Sequence, residues 1–366
     1  MPAAPPAVRE IDTRFAGLME ELAAGGAWPG AVAVSGGGDS LALMHLLARW
    51  AKRSRKTPPA VLVVDHGLRK ESKKEAQAVA RKARKLGLEA ALLRWTGPRP
   101  KSGIEAAARE ARYGLMGAWL KKHKVSNLYV GHNEDDQAET FLLRLARGSG
   151  LDGLAAMRAW VAYPHADFKG LTLVRPLLRT TRADLRVYLK GLGEDWIDDP
   201  MNDDPRFDRV RMRKLAPVLA GVGLTPARIA SAARHLADAR EALELVTEAV
   251  LERSSCPAPA ESKQAGILVD PVVLAAAPRE VGLRALAALL RQVSGAVYRP
   301  RFESLERLWG QLATDTLGGG ATLSGCRLGP APARERVFGP VTLKLTREKS
   351  RKNPGKARQS SAKIAR

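Results

Sequence analysis

Two clusters of residues in this chain have the types and spacing to do chemistry. The first is Ser35-Gly36-Gly37-Gly38-Asp39-Ser40, which sets three consecutive glycines between two hydroxyls and closes them with a carboxylate. Glycines let a backbone turn tightly and bring its N–H groups against an anion, and the helix that follows adds its unpaired N–H groups and positive dipole end. No lysine precedes Ser40, so this is not the loop type whose lysine draws charge off a transferred γ-phosphoryl group. A glycine loop ending in an aspartate that holds Mg²⁺ suits instead chemistry in which the α-phosphate is exposed and pyrophosphate leaves. A tight strand-to-helix turn with no ligand is the plain alternative.

The second cluster is His132-Asn133-Glu134-Asp135-Asp136-Gln137-Ala138-Glu139-Thr140. A histidine and several carboxylates in one helical turn can supply Mg²⁺ ligands, a general base and groups that bind a cation. Acidic residues also favour helix N-termini for dipole reasons, which would account for Glu134 and Asp135 alone but not for the whole set. Asp65 and His66 form a third polar point at the end of an apolar run. Arg109 and Arg112, three apart on a helix, share a face and suit either anion contact or surface salt bridging.

These residues need a scaffold that brings them together. Ala31 to Val34 and Ala60 to Asp65 read as buried parallel strands, with further strands at Leu88 to Trp95, Asn127 to Gly131 and Leu171 to Val174. Helical patterns alternate with them, among them Leu43, Leu46, Leu47 and Trp50 on one face, and a basic helix from Glu71 to Leu86 whose lysines and arginines point outward. The pattern predicts an α/β fold with a doubly wound parallel five-stranded sheet, followed by a helical domain and a small mixed C-terminal unit. In such a sheet ligands bind beyond the carboxyl ends of the strands, which places Asp65 and His66 beside the glycine loop.

The expected organisation is a preamble over 1–27, a catalytic domain over 28–220, a helical domain over 221–295, a small mixed domain over 296–345 and a basic disordered tail over 346–366. Residues 257–264 read as a linker. Sixty Lys and Arg against 38 Asp and Glu give a net charge of +22, which favours a polyanionic partner but does not distinguish RNA from DNA. The two cysteines, Cys256 and Cys326, have no C-x-x-C partner and build neither a metal knuckle nor a dithiol centre. With no signal segment and no apolar run approaching ~20 residues, a cytoplasmic protein with no membrane association is expected.

Four stretches together resemble a known family. Ser35 to Ser40 matches the S-G-G-x-D-S signature of the N-type ATP pyrophosphatases, or PP-loop proteins. Asp65-His66-Gly67-Leu68-Arg69, Gly131 to Thr140 and Arg175-Pro176-Leu177 resemble the tRNA(Ile)-lysidine synthetases among them, and the stretch from Asp199-Pro200 to Arg213 is similar to that family's D-P-x-N followed by spaced arginines. The resemblance implies an adenine nucleotide alpha hydrolase-like fold and ATP-dependent ligation of free L-lysine to C2 of the wobble cytidine in the CAU anticodon of tRNA(Ile). An adenylylated tRNA would be the intermediate, with release first of pyrophosphate and then of AMP. ATP and Mg²⁺ are the implied cofactors; no DNA partner is expected, and the chain would be a monomer or homodimer. The implied ATP-binding residues are Ser35, Gly36, Gly37, Gly38, Asp39, Ser40, Asp65 and His66, with Asp39 and Asp136 as metal ligands. Asp39, His132, Asp135, Asp136 and Glu139 are the candidate catalytic set, their individual roles left open. Arg69, Arg109, Arg112, Arg175, Arg206, Arg209 and Arg213 are the candidate substrate-binding arginines. A PP-loop tRNA thiolation enzyme is the competing reading, and the lack of paired cysteines weighs against it.

Overall fold

The computed structural model describes residues 5–67, 71–97, 103–198, 208–262, 264–296 and 298–348. Arg69, Arg206 and residues 349–366 therefore lie outside the described residues. The chain divides into two compact units, residues 1–238 and 239–366.

The first unit opens with α1 (Pro6–Ala24), β1 (Gly30–Ala33), α2 (Gly38–Arg53), β2 (Ala60–Asp65), α3 (Ser72–Lys85) and β3 (Ala90–Arg94). It continues through α4 (Ile104–Lys122), β4 (Asn127–Tyr129), α5 (Glu134–Ala146), α6 (Leu151–Leu154), β5 (Trp160–Ala162), β6 (Thr172–Val174), α7 (Arg182–Gly191) and α8 (Asp208–Gly221) into α9 (Pro226–Ser254), within which the unit boundary falls. The strand order is β3-β2-β1-β4-β6-β5. Every pair is parallel except β5 with β6. Five parallel strands stand where the alternation placed them. The sixth, β5, is a three-residue antiparallel edge whose Trp160-Val161-Ala162 carries too little periodicity to read from sequence.

The chain winds outward from β1 to β3, then returns to the other side of β1 as β4. The order reverses between β1 and β4, and at that point the strand ends diverge and leave a crevice. The strands approach closely at both ends. A Cβ on Gly30, at the amino end of β1, would fall 2.4 Å from the Tyr129 ring, and one on Gly131, at the crevice, would fall 3.0 Å from the backbone of Asp39 and Ser40. Glycine at 131 thus lets the end of β4 press against the first turn of α2.

Helix α2 is buried on most of its circumference, with Leu41, Leu43, Met44, Leu46, Leu47 and Trp50 in the core. The segment ahead of residue 28 contributes to this same core through Val8, Ile11, Phe15 and Met19 of α1. Asp12 of α1 is only 1% exposed. Its burial is compensated by Arg49 Nη2, which donates at 2.7 Å, and by the Tyr188 hydroxyl at 3.1 Å. Lys82, expected on a solvated face of α3, instead donates from Nζ to Glu194 Oε2 and to the Asp195 carbonyl, both at 2.6 Å. A carboxylate brought alongside by the segment after α7 turns one residue of the basic face into a tie.

The second unit contains β7 (Ser255–Pro257), β8 (Gly266–Val269), α10 (Pro271–Ala276), α11 (Arg279–Ser294), α12 (Phe302–Ala313), β9 (Ala321–Leu323), β10 (Cys326–Pro330) and β11 (Leu343–Arg347). Its antiparallel sheet has the order β7-β8-β11-β10-β9, and Leu283, Leu286, Leu289 and Leu290 of α11 are buried in its core. Two expectations change here. Pro257, read as the start of a linker, ends an edge strand paired with Ile267. Thr346 and Arg347, assigned to the tail, complete β11 because Arg327 and Cys326 pair with them across the ladder. Among the described residues no single helix is long and apolar enough to cross a membrane.

Candidate active site

The glycine loop leaves β1 at Val34, whose N–H donates to the Leu62 carbonyl. Gly36 takes φ of 96°, a left-handed conformation that glycine adopts without strain. A Cβ there would meet Ile197 Cδ1 at 2.8 Å, and the Ile197 N–H donates to the Gly36 carbonyl at 2.9 Å. Ser40 Oγ donates to the Gly37 carbonyl at 3.0 Å and accepts from the Ser35 N–H at 3.2 Å, so the two serines close the loop into a ring. No side chain caps α2 at Gly37, which leaves its first amides for an anion.

Opposite the loop, α5 begins with a reciprocal cap. The Asn133 side chain accepts from the Asp136 N–H and Asp136 Oδ2 accepts from the Asn133 N–H, both at 3.0 Å. Asp136 and Glu139 are three apart and therefore on one face, directed at Asp39 across the crevice. Arg182, the first residue of α7, joins them. Its guanidinium lies 3.4 Å from Asp39, 3.3 Å from Asp136 and 3.5 Å from Glu139. Its N–H donates to Asp135 Oδ2 at 2.8 Å, which turns Asp135 toward the start of α7. Arg213 donates to Glu139 Oε1 at 2.6 Å, an internal ion pair where a substrate contact was expected. Burial pushes the Asp39 carboxyl up and Asp136 adds to that, while Arg182 opposes both. Burial works against the charge of Arg182 itself, but Asp39, Asp136 and Glu139 outweigh it and hold the guanidinium above its usual range.

On a third side is a cationic corner. Burial, followed by the charges of Arg175, Arg209, Arg109 and Arg112, pushes His132 down to about 3. Burial and Arg112 also lower His66 against the pull of Asp65. Among the described residues, His132 Nδ1, His66 Nδ1, Arg112 Nε and Arg175 Nε are buried with no hydrogen-bond partner. Four unsatisfied polar atoms in one corner are costly unless a ligand pairs them. Arg109 and Arg112 stack on Tyr113 at 5.1 and 5.3 Å, the shared face that their spacing predicted.

Beside these groups lies a cavity of about 770 Å³, whose wall does not include Asp135, Glu139, Arg109, Arg175 or Arg209. Of the predicted residues, Ser35, Gly37, Gly38, Asp39, Ser40, His66, Arg112, His132, Asp136 and Arg213 line it. Gly36 holds the loop from behind. Asp65 acts as a staple rather than a wall: its Oδ1 accepts from the Gly67 N–H at 2.9 Å and from Ser72 Oγ at 2.7 Å. Burial raises that carboxyl, and the Ser72 and Gly67 bonds more than reverse the effect.

Sequence reasoning missed Arg182, Arg186 and Trp196, which also line the cavity. Trp196 packs on Gly38 and has no signal in the sequence beyond being a lone aromatic in a polar turn. Arg182 had one. It directly follows Thr181, whose hydroxyl accepts from the Asp184 N–H as an N-cap, and a cation at the first position of a helix opposes the dipole.

Comparison with known proteins follows the same outline. A family model described as a PP-loop domain matches residues 10–219. The tRNA(Ile)-lysidine synthase of Bradyrhizobium sp. strain BTAi1 is 41% identical over 330 residues, covering 83% of this chain and 90% of its own length. That of Methylobacterium nodulans is 40% identical over 329 residues, covering 89% and 93%. Among solved structures, the tRNA thiolase NcsA of Methanococcus maripaludis superposes with a TM-score of 0.50 at 16% identity, over 62% of this chain and 80% of that one. That last likeness is one of fold alone.

Proposed function

The chain belongs to the tRNA(Ile)-lysidine synthase family of PP-loop proteins, and on that premise we propose that it ligates L-lysine to C2 of the wobble cytidine of a CAU-bearing tRNA(Ile) at the expense of ATP. The observation that carries this reading is the meeting, in one cavity, of an uncapped glycine loop, the Asp136 carboxylate with Glu139 held behind it through Arg182 and Arg213, and His132 with Arg112. Each matches one reactant: a triphosphate, a cationic amine and a polyanionic RNA.

In this reading the cytidine O2 attacks the α-phosphorus and pyrophosphate departs, leaving an adenylylated base. The lysine ε-amine then bonds to C2 and loses a proton, and AMP departs with the former O2. The free amides at the start of α2 hold the pyrophosphate, with Ser35 and Ser40 fixing the loop around it. Asp39 and Asp136 suit Mg²⁺: both are carboxylates, Asp39 is destabilised by burial and by its neighbour, and a dication relieves both strains. Two carboxylates would leave the ion's remaining sites to phosphate oxygens and water. When bound, Mg²⁺ supplies charge neutralisation along the phosphates.

Asp136 and Glu139 orient the lysine ammonium. Its ordinary pKa is about 10.4, so the neutral nucleophile forms only once the group is desolvated or deprotonated in place. His132, uncharged at neutral pH, offers the base a hydrogen bond, while Arg112 and Arg175 meet RNA phosphates with donors that are otherwise unpaired. Both cysteines lie in the second unit, in β7 and β10, which leaves no sulfur carrier among the cavity residues.

The test is incorporation. With ATP, Mg²⁺ and labelled lysine, unmodified tRNA(Ile) bearing CAU should acquire label that survives mild alkaline deacylation, and the methionine tRNA with the same anticodon should acquire little. Label confined to a base-labile ester, or sulfur transfer instead of lysine transfer, would overturn the proposal.

A further inference from the structure

The carboxylates that the proposed reaction needs are already held by the protein's own cation. The Arg182 guanidinium spans Asp39, Asp136 and Glu139, a reach that its planar fork of donors permits and a single ammonium lacks. Its backbone is anchored independently of these bonds, by the Thr181 cap and by the Arg182 N–H on Asp135. The side-chain bonds are all long, 3.3 to 3.5 Å. Arg213 grips Glu139 more closely, at 2.6 Å. Arg182 is thus the cation here whose side chain can turn away with its Cα in place, provided another cation takes over the carboxylates.

It also has reason to leave. An ammonium on Asp136 and Glu139 would use the same oxygens that Arg182 covers, and two cations sharing them repel each other. The phosphate loop adjoins Asp39 directly, since Asp39 is the second residue of α2. A triphosphate on that helix end brings several negative charges within range of a guanidinium already at Asp39.

We infer that Arg182 is a positioning residue that makes the amine site conditional on nucleotide. With the phosphate loop empty, its guanidinium closes Asp136 and Glu139; with a triphosphate seated, it turns to the phosphates and opens Asp136, beside a Glu139 that Arg213 still holds, to the substrate ammonium. The inference rests on the lysine-ligating reading of the site and gives that reading an order of loading.

The test is equilibrium dialysis of labelled L-lysine against the full chain, with and without Mg²⁺ and α,β-methylene-ATP. Wild type should bind lysine at least about tenfold more tightly with the analogue present, and lysine should tighten the analogue by the same factor. Arg182→Gln should bind lysine without nucleotide about as well as wild type does with it, so that the coupling factor falls to within about twofold of one. Arg182→Lys, which keeps the charge but not the fork, should restore part of the coupling. Loss of both affinities in Arg182→Gln with their ratio intact would mean a merely structural role and overturn the inference. Equal lysine affinity in wild type with and without the analogue would overturn it too and leave the lysine-ligating reading standing. If the analogue binds and lysine binds under neither condition, that reading itself falls.

Discussion

At the scale of single residues, the site pairs groups whose charges cost the fold something. Asp39 is pushed up by burial and by Asp136, so its ionised form is unfavourable to folding above the ordinary carboxylate range. Removing it leaves Arg182 on Asp136 and Glu139. Asp39→Ala should therefore keep stability within about 1 kcal/mol of wild type by denaturant titration. It should also lower pyrophosphate release at least about a hundredfold, because Mg²⁺ and phosphate charge stabilisation is worth several kcal/mol. Near-normal release would remove Asp39 from the reaction. His132 makes a different prediction. Its folded pKa is about 3, by burial and then by the surrounding arginines, against about 6.5 in the unfolded chain. Between these values the unfolded state binds the extra proton, so the histidine's contribution to stability is complete above about pH 6.5 and is lost as pH falls toward 3. The slope from this one group reaches about 1.4 kcal/mol per pH unit. His132→Gln should flatten the acid limb of the stability curve by up to that amount, and an unchanged limb would show that His132 protonates in the folded state.

At the scale of elements, the crevice depends on how closely β4 and α2 approach. A Cβ at Gly131 would sit 3.0 Å from the backbone of Asp39 and Ser40, where no flexible side chain can yield. Gly131→Ala should shift the start of α2, costing about 1–3 kcal/mol of stability as overpacking does. Nucleotide affinity should fall while the tRNA affinity of the free enzyme holds. A loss of both in equal measure would mean that the whole unit had loosened. Part of this was legible from sequence: glycines before a helix read as an anion loop, and His132 to Thr140 read as a strand end running into a helix. The strap after α7 was not. Its ties, Lys82 with Glu194 and Ile197 with Gly36, are more than 100 residues apart in sequence, and no local pattern announces such a pair.

At the scale of the whole molecule, charge is the leading property. Residues 349–366 carry seven of the chain's Lys and Arg and no Asp or Glu. Truncation after Glu348 keeps β11 whole, since Arg347 is its last residue. The truncated chain should bind tRNA more weakly, with a shallower dependence of log K on log salt, by roughly 0.7–0.9 for each phosphate that is no longer neutralised. The rate of the bound complex should be unchanged. Identical binding at about 50 and 200 mM salt would assign those residues another role.

Local rules carry the loop, the alternation of strands and helices and the carboxylate cluster, because strand and helix periodicity and glycine chemistry act over a few residues. From them the sequence determined the fold class and ten of the residues that line the cavity, while the strand order and its switch point came only from the structure. What each carboxylate faces was settled only in three dimensions. Asp65 could cap or bind, and the position of Ser72 made it a staple. Arg213 could meet substrate, and the packing of α8 against α5 put it on Glu139. Arg182 broke a local rule at the start of its helix, and only the tertiary structure supplied the reason: three carboxylates from two other helices, drawn into a space too dry to leave them without a cation.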